Sequence, residues 1–386
     1  MPDEGSGSRG WLPDLLFCTP APRQEAPMPL VTDFPLPLTA EEIRADWLSE
    51  ALGVRFPRAF ATSVEVLEAH SGTTGRARLR AEWKGNSTAP ATIFVKLAPT
   101  DPIQKEMVIS TGMGKREAHF FDGLAEEIPV RVPVPLWSGW NEAGDAYIML
   151  IEDLSEAGCS FPSSRGDTGE HPERMVDTLA SLHGHYWQSP RFDAGADLAW
   201  IKRPMRGEMG PLLIGSALEQ FGEKMPAAFR DLADLYIHHT EALNELLDAG
   251  PKTLIHGDSH LGNTFVDGDQ VGLLDWACTA HAPGIRDFSY YICNSVPTER
   301  RQRDERALLR RYLEGLAKSG GPRLAEAATY DLHRRYAVCS WIAATATAAA
   351  GSRMQSIEVG MRGMERATAA ICDLETPAVL RAELGV

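Results

Sequence analysis

No apolar run in these 386 residues approaches the roughly 18 needed to cross a bilayer. The longest weakly polar stretch, Ile342 to Ala350, is interrupted by Thr345 and Thr347 and reads as a buried helix. Cysteine is sparse. Its six residues (Cys18, Cys159, Cys278, Cys293, Cys339 and Cys372) form no Cys-x-x-Cys pair and no zinc spacing. That excludes a disulfide scaffold and a zinc module, and predicts reduced thiols in a cytoplasmic protein. Basic residues are in deficit: 38 Lys and Arg stand against 53 Asp and Glu, a formal charge of −15 with a pI near 5.2. Such a chain repels nucleic-acid phosphates and anionic lipid, so neither nucleic acid nor a membrane is an expected partner. At most the charge favours a cationic substrate. The N-terminus lacks a basic-then-apolar signal pattern, and no internal repeat is present. None of these features sets an oligomeric state.

Residues 1–37 are rich in Pro, Gly and Ser, which predicts a disordered tail, and Met28 is a candidate natural start. Beyond the tail the length suits two lobes. Thr39-Ala-Glu-Glu42 has the form of a capping box and predicts a helix through Leu52 with Ile43, Trp47, Leu48 and Leu52 on its apolar face. Ser63–Ala69 and Arg76–Trp83 alternate like a β-hairpin around Ser71-Gly-Thr-Thr-Gly75. Ala91–Leu97 is a third strand, and Val134–Trp140 and Ala146–Ile151 are two more. Between them Glu106–Glu126 reads as helical in its second half. After Glu152-Asp153-Leu154 the pattern turns helical: Glu173–Trp187, Ala227–Leu247, Arg300–Ala317, Leu324–Ala349 and most of the C-terminus. Two short strands interrupt it at Thr264–Val266 and Val271–Leu274. The expected class is α+β, with an N-terminal β-rich lobe over 38–152 and a C-terminal, mainly helical lobe over 153–386.

The chemistry concentrates in His256-Gly-Asp258-Ser-His260-Leu-Gly-Asn263, followed by Leu273-Leu-Asp275-Trp276. The spacing His-x-Asp-x-x-x-x-Asn, with a second Asp after a short strand, is that of kinase catalytic loops. Phosphoryl transfer needs an acceptor hydroxyl beside a carboxylate and in line with the γ-phosphate of ATP. It also needs Mg2+, which prefers hard oxygen ligands. Asp258 is the candidate base, and Asn263 and Asp275 are the candidate metal ligands. Two alternatives stay open on the residues alone. His256-x-Asp258-x-His260 can be read as the ligand cluster of a metal-dependent hydrolase. A non-catalytic nucleotide-binding protein on the same scaffold is the other.

The two motifs together resemble the aminoglycoside phosphotransferase and choline kinase superfamily over roughly residues 40 to 350. The helix at Thr39–Leu52 and the segment Arg116-Glu-Ala-His-Phe-Phe121 are most similar to its ecdysteroid kinase-like branch. The resemblance implies a protein kinase-like two-lobed fold and an ATP-dependent small-molecule kinase with a hydroxyl acceptor. It implies that Lys96 contacts the α- and β-phosphates and that a helix glutamate pairs with it; Glu117 is preferred to its rival Glu106 because Phe120, Phe121 and Leu124 give its helix a packing face. It implies further that Ser71, Gly72, Thr73 and Gly75 cover the phosphates and that the backbone from Glu152 to Leu154 meets the adenine. Asp287, in Pro283-Gly-Ile-Arg-Asp287, is expected to brace the catalytic loop or cap the next helix. His256 and His260 read as loop supports and His183 as a core histidine. The connection Trp276–Arg286 is too short and apolar to hold an extended peptide, which points to a small-molecule acceptor.

Overall fold

The computed structural model describes residues 34–72, 74–163, 169–207, 209–351 and 356–386. Most of the predicted tail, over 1–33, lies outside them, as does Thr73.

The β-rich lobe is one five-stranded antiparallel sheet in the order β1-β2-β3-β5-β4. Its strands are β1 (Ala61–Ser71), β2 (Gly75–Trp83), β3 (Thr92–Leu97), β4 (Pro135–Trp140) and β5 (Tyr147–Glu152). Side chains alternate across a strand, and the central strands use both faces. Ile93, Val95 and Leu97 of β3, with Ile148 and Leu150 of β5, join a core with α1 (Ala45–Leu52). Met149 and Ile151 turn the other way, into the core shared with the helical lobe. Phe94 and Lys96 share the inward face with them, opposite Ile151 and Met149 in register.

The predicted helix at 39–52 is divided. Ala40–Glu42 is a 3-10 turn, Ile43 and Arg44 are extended, and α1 starts at Ala45. The Thr39 side chain caps nothing; instead Glu42 accepts the Leu38 N–H at 2.7 Å. Ile43 is buried in the core that the sheet shares with α1. The region 106–126 forms two helices, α2 (Pro102–Thr111) and α3 (Met113–Asp122), broken at Gly112 with φ +64°.

The second lobe is helical: α4 (His171–His185), α5 (Met209–Phe221), α6 (Ala227–Asp248), α7 (Ile285–Ser295), α8 (Thr298–Lys318), α9 (Glu326–Ala350), α10 (Ile357–Asp373) and α11 (Thr376–Leu384). Helix α5 carried no sequence expectation; its residues Ile214 and Ala217 pack into the core. Two small sheets are inserted among the helices. β6 (Thr253–Ile255) pairs with β9 (Ala280–Ala282), and β7 (Thr264–Asp267) pairs with β8 (Gln270–Leu273), both antiparallel. This nesting positions the site. The segment 256–263 joins β6 to β7, and 274–279 joins β8 to β9, so the paired strands hold the two connections face to face. All five cysteines among the described residues are free, and no helix there is long and apolar enough to cross a membrane.

Candidate functional site

Asp258, Asn263 and Asp275 come from those two facing connections. The N–H of Leu274 donates to the Asn263 carbonyl at 2.8 Å, extending the β7–β8 pairing by one bond and setting Asn263 beside Asp275. Asp275 has φ +59° and ψ 73°, a left-handed conformation that few residues other than glycine adopt and that Asp tolerates better than most. The chain turns sharply there into the 3-10 turn Trp276–Cys278. The Asn263 amide Nδ2 donates to the Asp258 carbonyl at 2.9 Å and to Asp258 Oδ2 at 3.0 Å. With the amide nitrogen engaged, the Asn263 Oδ1 is the atom left to meet a cation.

Lys96 reaches this group from β3. Its Nζ lies 2.6 Å from both carboxylate oxygens of Glu117 on α3 and 3.4 Å from Asp275 Oδ2. Burial works to lower the Lys96 pKa, but Asp275 and Glu117 outweigh it, and the ammonium is held charged. Burial would raise the Asp275 pKa, yet Lys96, Arg76 and His256 together hold it below the usual range. Burial pushes the Glu117 carboxyl up, Lys96 pulls it back, and Asp275 adds to the push. The Trp276 N–H donates to Glu117 at 3.2 Å, so α3, β3 and the Asp275 turn are linked through one carboxylate. Glu106, on α2, has no part in this cluster.

Asp287 is fully buried at the start of α7. Its carboxylate accepts the N–H of His256 at 2.6 Å and that of Gly257 at 3.0 Å, and its carbonyl accepts the Ser259 hydroxyl at 3.0 Å. It therefore grips the loop rather than capping its own helix. His183 stands 3.4 Å from the same carboxylate and 2.9 Å from the Tyr312 hydroxyl. Gly257 is required by shape: its φ is +85°, and a Cβ there would lie 2.1 Å from the Cys278 carbonyl oxygen. His256 spends its ring on backbone, with Nε2 at 2.7 Å from the Leu274 carbonyl and Nδ1 accepting the Asp258 N–H at 3.3 Å. His260 Nδ1 accepts the Gly262 N–H at 2.9 Å. Among the described residues no group of three His, Cys, Asp or Glu side chains is arranged to hold a metal. The reading of His256-x-Asp258-x-His260 as a hydrolase cluster therefore has no geometric counterpart.

Two residues of the site were not assigned from sequence. The Tyr290 hydroxyl donates to Asp258 Oδ1 at 2.7 Å. Burial and Asp258 raise its pKa well above the usual value, so it remains a donor. Its position three residues after Asp287, on the same face of α7, was the available signal. Arg76, opposite Lys96 on β2, places its guanidinium 3.8 Å from Asp275.

Two cavities meet at this cluster. A cleft of about 150 Å³ between the lobes is lined by Lys96, Glu117, Phe94, Ile151, Glu152 and Leu154 among others. A larger one, about 480 Å³, is lined by Asp258, Tyr290 and residues of α9 and α10. Arg76, Gly262, Asn263 and Asp275 border both. Gly72 and Gly75 border neither. Ser71 and Gly75 pair to close the β1–β2 hairpin, and a Cβ on Gly75 would come 3.3 Å from that of Leu97. The Glu152 side chain is engaged by Arg131 at 2.8 Å and its N–H by the Val134 carbonyl at 2.9 Å.

The profile of the phosphotransferase enzyme family matches residues 68–327. No match is found among curated proteins. Solved structures similar to this chain include three of low identity. A choline/ethanolamine kinase family protein from Mesorhizobium loti is 16% identical, with 82% of this chain and 92% of that one covered and a TM-score of 0.46. The choline kinase LicA from Streptococcus pneumoniae is 12% identical, covering 85% and 98%, with a TM-score of 0.45. The macrolide 2'-phosphotransferase MphH from Brachybacterium faecium is 16% identical, covering 85% and 97%, with a TM-score of 0.41.

Proposed function

The chain belongs to the phosphotransferase enzyme family, and from that premise we propose that it transfers the γ-phosphoryl group of ATP to a hydroxyl of a small molecule. One observation carries the reading: two cavities of different character share a wall made of Arg76, Gly262, Asn263 and Asp275. The smaller suits a nucleotide, with Phe94, Ile151 and Leu154 for the base and Lys96 for the phosphates. The backbone from Glu152 to Leu154 would border the adenine; of the residues expected over the phosphates, Ser71, Gly72 and Gly75 belong to the β1–β2 hairpin, and Thr73 lies outside the described residues. The larger suits the acceptor.

Asp258 then acts as the base. Tyr290 and Asn263 hold its carboxylate by opposite oxygens, fixing its direction toward the acceptor cavity. The acceptor oxygen forms a bond to the γ-phosphorus and the bond from that phosphorus to the ADP oxygen breaks. The acceptor's proton passes to Asp258, and ADP leaves with the charge. Asn263 Oδ1 and the Asp275 carboxylate, on the two facing connections, would offer hard oxygens of the kind that fit Mg2+. The ion, when bound, neutralises charge on the phosphate oxygens. Lys96, kept in place by Glu117, positions the α- and β-phosphates.

A small acceptor is favoured over a peptide because 276–286 is taken up by a 3-10 turn, β9 and the start of α7, leaving no extended platform. The ecdysteroid kinase-like branch is a finer reading that rests on Arg116–Phe121, where Glu117 pairs with Lys96 and Arg116 donates to the Ala277 carbonyl at 2.7 Å. ADP release from MgATP, followed across a library of small alcohols and separately across peptides, tests the proposal. ADP release with peptides and none with any small alcohol would overturn it.

A further inference from the structure

Three arginines, Arg76, Arg362 and Arg366, and two aspartates, Asp258 and Asp275, line the larger cavity. Helix α10 turns Val359, Arg362, Gly363 and Arg366 toward it, a spacing of three and four that puts them on one helical face. The half-buried Arg366 donates to the Ser295 carbonyl at 2.9 Å, and the Ser295 hydroxyl accepts the N–H of Leu261 at 2.9 Å. The guanidinium therefore stands two hydrogen bonds from the loop that carries Asp258. Arg362 also pairs with Glu358, one turn earlier on α10, at 2.8 Å. Burial and the neighbouring Arg362 both depress the Arg366 pKa, so two cations crowd one wall. Among the described residues lining the cavity, the acidic ones are Asp258 and Asp275, and the transfer step employs both. Met107, Met113, Ala343 and Ala344 make the rest of the wall largely apolar.

Resting on the kinase reading, we infer that the acceptor is an alcohol bearing an oxyanion group, carboxylate or phosphate, on an apolar body, with that group held by Arg362 and Arg366 and its hydroxyl at Asp258. The planar guanidinium fork matches the paired oxygens of either anion. A cationic acceptor, which the net charge of −15 would favour, meets two arginines instead. The inference concerns this local field, which at short range outweighs a distributed surface charge that salt screens.

The test separates the two readings. Calorimetry with MgATP on the intact protein addresses nucleotide binding. In a second arm, without nucleotide, thermal shift titrations compare ligands on one carbon skeleton: β-hydroxyoctanoate and hydroxyoctyl phosphate, the neutral β-hydroxyoctanamide, and the cationic aminooctanol. The anionic pair is expected to raise the melting temperature most, and the order within the pair tells carboxylate from phosphate. Arg362→Gln and Arg366→Gln should each weaken the anions by about tenfold, the loss of one charge-assisted bond, with amide binding unaltered. Arg366→Lys should recover most of the affinity. The melting temperature of each variant without ligand checks that its fold is retained. Equal or better binding of aminooctanol, indifference of the anions to both glutamine variants, or no anion binding beside intact MgATP binding each overturns the inference. Loss of MgATP binding with the charge preference retained sinks the kinase reading and leaves the anion site standing.

Discussion

At the residue scale the site is a set of carboxylates held in different states by their neighbours. Asp258 is gripped by Tyr290 and Asn263, Asp275 by Lys96 and Arg76, and Asp287 by two backbone N–H groups. Each arrangement has its own expected consequence. Asp258→Asn should lower phosphoryl transfer by about 10²–10⁴ while MgATP affinity, read by calorimetry, stays near the parent value. Near-normal turnover would remove Asp258 from the role of base. Lys96→Ala removes the buried ammonium between two carboxylates, so it should raise the KM for ATP and lower kcat together. Steady-state kinetics with varied ATP decides this, since a surface lysine would move neither. Asp287→Ala leaves two buried N–H donors and the loop without an acceptor. Removing one partner of a buried charged hydrogen bond costs about 3 kcal/mol. Urea unfolding should show that loss alongside reduced activity, and a change under about 0.5 kcal/mol would mean that the loop finds another anchor.

At the element scale, the site depends on which elements approach closely. The strands and most helices were readable because alternation and 3.6-residue periodicity are local properties. Phe94 and Lys96 show one face of β3, Ile93 and Val95 the other. The division of the predicted 39–52 helix was not readable. Ile43, extended between the two pieces, is buried with sheet residues far away in the chain. Helix α5 escaped for the opposite reason: Met209–Phe221 contains two glycines and a proline near its start, and packing overrides that local cost. The close contact of α4 with α8 shows the same principle. A Cβ on Gly184 would lie 2.7 Å from the Leu316 carbonyl oxygen, and one on Gly315 would lie 2.7 Å from the Ala180 Cβ. Gly184→Ala should therefore destabilise the protein by about 1–3 kcal/mol, the usual range for overpacking, although alanine is the better helix former. Denaturant midpoints settle the sign: a gain in stability would mean that the helices part freely.

At the scale of the whole molecule, a buried ion network ties the C-terminal helices to the rest. Arg301 and Glu305 of α8 pair at 2.8 Å, Tyr330 of α9 donates to Glu305 at 2.8 Å, and Arg301 also bonds Asp373 at the end of α10. Burial would raise the Glu305 pKa, but His333, Tyr330 and Arg301 outweigh it and bring it down to about 2. A carboxyl depressed in the folded state contributes stability above its unfolded pKa and loses it as pH falls through the folded one. From 4.5 to about 2 this one group supplies at most about 3 kcal/mol. Stability should thus fall between about pH 4.5 and 2, and Glu305→Gln should flatten the curve in that window. Urea unfolding across the range measures it. An unchanged slope would assign the acid sensitivity to other groups, Asp287 first among them.

The chemistry of the His256–Asn263 loop and of the Asp275 turn was visible in the chain because both motifs are contiguous: residue type and spacing state what a short loop can bind. The partner of Lys96 was a choice between Glu106 and Glu117, and the packing face of Phe120, Phe121 and Leu124 favoured the second. The 2.6 Å contact needed α3, β3 and Trp276 assembled. Tyr290, Arg76 and the two arginines of α10 carry no motif, and they reach the site only because the sheet, α7 and α10 converge on it. Charge shows the contrast most clearly. Composition reports a sum of −15, whereas the larger cavity is governed by the few charges within one Debye length, and these are brought together by packing rather than by sequence order.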